Sequence, residues 1–69
     1  MASYTKVRVE GKERYKMANG VYPRGRGTWA FDIGGDTFWP GHGMTYSSAK
    51  EEAQKEAVIR GVHVIKVLT

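Results

Sequence analysis

Two consecutive glycines, Gly34 and Gly35, separate the runs Trp29-Ala30-Phe31-Asp32-Ile33 and Asp36-Thr37-Phe38-Trp39. A Gly-Gly pair between two such runs predicts a two-residue β-hairpin, because glycine accepts the positive φ of a type I′ turn. That loop sets the register: Ile33 faces Asp36, Phe31 faces Phe38 and Ala30 faces Trp39. Side chains alternate along a strand, so Trp29, Phe31, Ile33 and Phe38 share one face, which reads as core. Ala30, Asp32, Thr37 and Trp39 share the other, which is small and polar apart from one indole. Left in solvent, that indole presents a binding surface; covered by the N-terminal segment, it is packing.

A chain of 69 residues forms one domain, 1–69, with a small core and no room for a deep substrate cavity. It divides into basic N-terminal strands with a mobile loop, 1–28, and a hairpin-helix-strand core, 29–69. There is no cysteine, hence no disulfide framework and no thiolate metal site. No apolar stretch is long enough to span a bilayer. The start, Met1-Ala2-Ser3-Tyr4-Thr5-Lys6, lacks the apolar run of a signal peptide, so a cytoplasmic protein is expected.

The net charge of +4 is unevenly spread. Residues 1–28 carry Lys6, Arg8, Lys12, Arg14, Lys16, Arg24 and Arg26 against Glu10 and Glu13. Residues 29–69 carry Lys50, Lys55, Arg60 and Lys66 against Asp32, Asp36, Glu51, Glu52 and Glu56. A concentrated basic region beside aromatic side chains is the electrostatic footprint of a polyanion partner. A basic surface that serves only solubility has the same composition.

Further strands follow from pattern. Lys6-Val7-Arg8-Val9-Glu10 and Arg14-Tyr15-Lys16-Met17 form a candidate hairpin around Gly11-Lys12-Glu13. Its register would put Lys6, Arg8, Arg14 and Lys16 on one face, with Arg8 across from Lys16. Like charges placed opposite each other cost about 0.2–1 kcal/mol, a repulsion that an intervening phosphate would relieve. Asn19-Gly20, Pro23 and the Arg24-Gly25-Arg26-Gly27 stretch predict a turn and a mobile connection. A helix is predicted over 48–60. Ser48 and Glu51 have capping-box spacing, Ala49, Ala53 and Ala57 form a narrow stripe, and Gly61 ends the helix. Val62-His63-Val64-Ile65-Lys66-Val67-Leu68 reads as a strand.

Catalytic constellations are lacking. His42 and His63 stand far apart, without metal-ligand spacing. The serines at 3, 47 and 48 lie in no nucleophile elbow. Asp32 and Asp36 flank a tight turn, where aspartate is ordinary. Arg24-Gly25-Arg26-Gly27 is too short to cradle a nucleotide phosphate in the P-loop manner. The expectation is a non-enzymatic protein with no metal and no cofactor.

Residues 20–33, Gly-Val-Tyr-Pro-Arg-Gly-Arg-Gly-Thr-Trp-Ala-Phe-Asp-Ile, resemble the first two strands of the plant APETALA/ethylene-response DNA-binding domain. That motif runs Gly-Val-Arg-x-Arg-x-Trp-Gly-Lys-Trp-Ala-Ala-Glu-Ile. Phe38-Trp39 resembles the family's third-strand Val-Trp, and the alanine-rich helix follows in order, so the likeness covers residues 20–57. The N-terminal sheet domain of phage and transposon integrases is a looser relative. The resemblance implies three strands in the major groove braced by a helix, with Arg24 and Trp39 at DNA-contacting positions. The chain departs from the pattern at Tyr22, where the family has arginine, and at Arg26, where it has tryptophan.

The fold expected is α+β: an antiparallel sheet of three or four strands packed on one helix, with a C-terminal strand. Phe31, Ile33, Phe38, Ala53, Ala57, Val64 and Ile65 should be mostly buried. The functional expectation is a phage or mobile-element protein that binds nucleic acid, DNA rather than RNA, through the face opposite the helix. Lys6, Arg8, Arg14, Lys16, Arg24 and Arg26 would meet phosphates, and Trp39 and Tyr22 would pack on sugar or bases. Two alternatives are a phage-type effector that inhibits a host protein such as RNA polymerase, and a subunit pairing its C-terminal strand with a copy of itself.

Overall fold

The structure is a computed structural model that describes residues 6–68. The elements are β1 (Arg8–Glu10), α1 (Lys12–Asn19), β2 (Arg26–Gly27), β3 (Phe31–Ile33), β4 (Asp36–Phe38), β5 (Met44–Thr45), α2 (Tyr46–Arg60) and β6 (Val64–Val67). The class is α+β, with a four-stranded sheet in the order β1-β6-β3-β4 and a separate ribbon of β2 and β5. None of the described helices is long and apolar enough to cross a membrane.

The glycine hairpin has the register its sequence predicts, with Phe31 opposite Phe38 and Ile33 opposite Asp36. Gly34 and Gly35 have φ of 61° and 94°, the pair of positive values that a type I′ turn needs. The Asp32 side chain accepts the Gly35 N–H at 2.9 Å and steadies the turn. Phe31 and Ile33 are fully buried, while Phe38, on the edge strand, is only half-buried under the Arg60 guanidinium.

The predicted first hairpin does not form. Residues 14–17 belong to α1, and β1 pairs instead with β6 in parallel, Arg8 beside Val64 and Glu10 beside Lys66. The sheet is therefore mixed, and a second helix joins the first. Two causes are visible. Lys, Glu, Arg, Met and Ala, which fill most of α1, are among the better helix formers. The turn that was to close the hairpin is occupied by Gly11 at φ 85°, packed against β6: a Cβ there would lie 2.8 Å from the Val67 carbonyl. Both the conformation and the close approach call for glycine.

β6 alternates strictly, with Ile65 and Val67 buried and Val64 and Lys66 exposed. Val64 thus faces solvent, contrary to the sequence expectation, because neighbours in a strand point to opposite faces. β6 has both edges occupied, by β1 and β3, so self-pairing through this strand is closed.

α2 lies across the core face, and Ala49, Ala53 and Ala57 are completely buried against it, as the stripe predicts. The helix begins two residues earlier than expected. Thr45 is its cap, accepting the Ser48 N–H at 3.2 Å, so Ser48 is inside the helix rather than at its start. Gly61 caps the end. Gln54, the buried polar residue of α2, donates to the Val7 carbonyl at 2.9 Å and ties the helix to the entry of β1. The core is completed by an aromatic series. Trp29 meets Tyr15 at 5.6 Å and Tyr46 at 5.1 Å, and Tyr46 meets Phe31 at 6.3 Å.

The Tyr46 hydroxyl is buried with no partner among the described residues, and burial pushes its pKa up. An unsatisfied buried hydroxyl costs roughly 1–3 kcal/mol. Tyr46→Phe is therefore expected to leave stability unchanged or raise it by about 1 kcal/mol in urea unfolding. Gly11→Ala should do the reverse, lowering stability by about 1–3 kcal/mol, since a strained φ and a backbone clash coincide.

Candidate nucleic-acid interface

The basic residues separate into two groups. Arg8 lies on the open face of the sheet, opposite α2, where its guanidinium pairs with Glu10 at 3.0 Å. The same face holds Lys66, beside Glu10 on one side and Asp32 on the other. Two cations and two carboxylates leave this face neutral, so it lacks the charge the sequence reading assigned to it. Lys6 is exposed just ahead of β1.

The second group collects where α1 meets segment 20–28. Arg14 and Lys16 are exposed on α1, and the Lys16 ammonium stands 4.6 Å from the centre of the Tyr22 ring. The Tyr22 hydroxyl donates to Glu13 at 2.9 Å, which pins the segment back onto the helix. Arg24 and Arg26 follow and, with Tyr15, Asn19, Gly27, Thr28 and Trp29, line a groove of 190 Å³. Pockets for organic ligands run to about 300–1,000 Å³, so this space suits a phosphate group better than a metabolite.

The segment is held by the ribbon. Arg26 pairs with Thr45 and Gly27 with Met44, and the Tyr46 N–H donates to the Gly25 carbonyl at 2.8 Å. The Trp29 indole N–H donates to the Met44 carbonyl at 3.2 Å, and the Arg26 guanidinium donates to the Gly43 carbonyl at 2.9 Å. Thr28 and His42 approach at 3.3 Å. This anchoring fixes the stretch that the sequence suggested was mobile. Among the described residues, the ion pairs involve Arg8, Lys55 and Arg60, and none engages Arg14, Lys16, Arg24 or Arg26. The corner keeps its positive charge.

Trp39 is 57% exposed, as the hairpin register predicts; the chain before residue 6, Ser3 included, lies outside the described residues. It does not join the basic corner. It stands beyond β4, the edge strand farthest from β1. Asn19, with its side-chain amide donating to the Tyr15 carbonyl, is a groove residue that the sequence analysis missed. Its only signal was the Asn-Gly pair, which looked like a turn and is a helix end.

No group of three or more His, Cys, Asp or Glu among the described residues could hold a metal ion. Comparison with known proteins finds no matching family model, no matching curated protein and no matching solved structure.

The Glu13 carboxylate raises the Tyr22 pKa above 10.0, chiefly by accepting its hydrogen bond and then by charge repulsion of the phenolate. Tyr22 should therefore titrate later than a free tyrosine, and Glu13→Gln should return it toward the ordinary value. Phenol-carbon NMR shifts against pH check this; an unchanged titration would show that the contact is not made in solution.

Proposed function

We propose that this protein is a non-enzymatic, cytoplasmic nucleic-acid-binding module that grips the phosphate backbone of duplex DNA with the corner formed by α1 and residues 20–28. The observation that carries the reading is the pair Arg24 and Arg26, free of carboxylate partners beside a phosphate-sized groove, with Lys16 and Arg14 on the adjoining helix. Arginine presents several donors in a planar fork that matches phosphate oxygens, and each neutralised phosphate releases condensed counterions.

Tyr22 supports the same reading. It is exposed beside the cations and is held in place by Lys16 and Glu13, so it meets a sugar or base with little ordering left to do. Phosphate contacts position a protein without reading sequence, so the affinity should vary little between DNA sequences. The resemblance of residues 20–33 to the APETALA-type domain supports DNA through Arg24, although here β2 pairs with β5 rather than with β3.

Arg24→Ala with Arg26→Ala should weaken binding to random duplex DNA and flatten the plot of log affinity against log salt by about one unit per lost contact. Arg8→Ala, in the neutral face, should change that slope far less. Absence of binding at low salt, or equal effects of the two sets, would contradict the proposal. Fluorescence anisotropy at four salt concentrations reads both.

A further inference from the structure

One face of the sheet is covered by α2, and among the described residues no helix covers the other, bare face. Side chains on the bare face follow the register in rows: Arg8 with Val64, then Glu10, Lys66, Asp32 and Thr37. The Leu68 N–H donates to the Ala30 carbonyl at 2.9 Å, which carries the register one residue further and adds Leu68 and Trp39 to this face, with Ala30 buried between them. Trp39, Leu68 and Val64 are 57%, 43% and 37% exposed. The face therefore carries three solvated apolar groups around a balanced set of charges, and balanced charge does not suit a polyanion.

We infer that this face is the contact surface of a symmetric dimer, its occupant being a second copy of the chain. The argument is complementarity of the face with itself. β6 and β3 are neighbours in the middle of the sheet, and β6 presents Lys66 where β3 presents Asp32. A two-fold axis lying between the facing sheets, parallel to the strands and midway between β6 and β3, exchanges these two columns. Lys66 then stands over the second copy's Asp32 and Asp32 over the second copy's Lys66, as an isologous contact requires. The same operation sets Val64 over the second copy's exposed Gly34, large against small. Among the described residues Lys66 has no ion-pair partner within its own chain, so the cation is available.

The inference is independent of nucleic-acid binding, but it has a bearing on it. Rows keep their order under this axis, so both α1 corners lie at the same end of the pair and would form one basic surface. The contact is small. Four strand spacings by five residues give a footprint of roughly 300 Å², well under the ~800 Å² per partner of a standard interface. The dimer is accordingly weak and reversible.

Sedimentation velocity without nucleic acid, from about 10 µM to about 1 mM, tests this in the concentration range of a weak complex. The mean mass should rise toward twice that of the monomer. Lys66→Asp alone and Asp32→Lys alone should each abolish the rise, and the double exchange should restore it. Because Asp32 also steadies the hairpin, Leu68→Asp serves as a second disruptive variant that leaves the turn intact. Thermal midpoints at the lowest concentration report any effect within one chain. A monomer at every concentration, or self-association indifferent to Lys66→Asp and Leu68→Asp, would overturn the inference.

Discussion

The pairing of β6 on both edges is the constraint from which most of this structure follows. The last strand of the chain sits inside the sheet, parallel to β1 and antiparallel to β3. β1 is an edge strand whose outer edge no described strand pairs, but Gly11, seated against β6 at φ 85°, turns the chain off the sheet before residues 14–17. A backbone without a ladder must satisfy its own hydrogen bonds, and a helix is the local way to do so. α1 is the consequence, and it turns Arg14 and Lys16 away from the sheet.

This displacement also explains where the charge goes. Had the N-terminal hairpin formed, four cations would have shared the sheet face with Trp39. With α1 in place, Arg8 is left beside Glu10, while Lys16 joins Tyr22, Arg24 and Arg26. The ribbon of β2 and β5 then fixes the segment against the start of α2. Charge and exposed indole thus occupy different surfaces. One surface is basic; the other has balanced charge and solvated apolar groups.

What could be deduced from sequence was local. The Gly34-Gly35 turn, the register of its strands, the alanine stripe and the Gly61 cap each depend on residues within one or two elements. So does the exposure of Trp39, which the register dictates. Misread were the elements decided by distant neighbours. Whether 14–17 is strand or helix depends on the turn at Gly11, which is seated against β6, more than fifty residues away. Val64 was misplaced because Val62-His63-Val64-Ile65 is nearly continuous in β-branched residues and hides the alternation that the sheet imposes. The helix start shifted because Thr45 and Ser48 are both good caps, and the ribbon residue Thr45 is the one positioned to accept. The basic character of the N-terminal region was legible, but its assembly into a corner was not. Asn19 and Tyr15 reach that groove only because α1 exists.

The central claim is that the α1 corner, and not the sheet face, meets the phosphate backbone. Amide chemical-shift mapping of the protein titrated with a short duplex of random sequence tests it residue by residue. The account predicts that the shifts concentrate at residues 14–28, at Arg24, Arg26 and the Asn19 side chain most of all, with little change along β3 and β4. Shifts centred on Arg8, Lys66 and Trp39, or none at all in low salt, would contradict it.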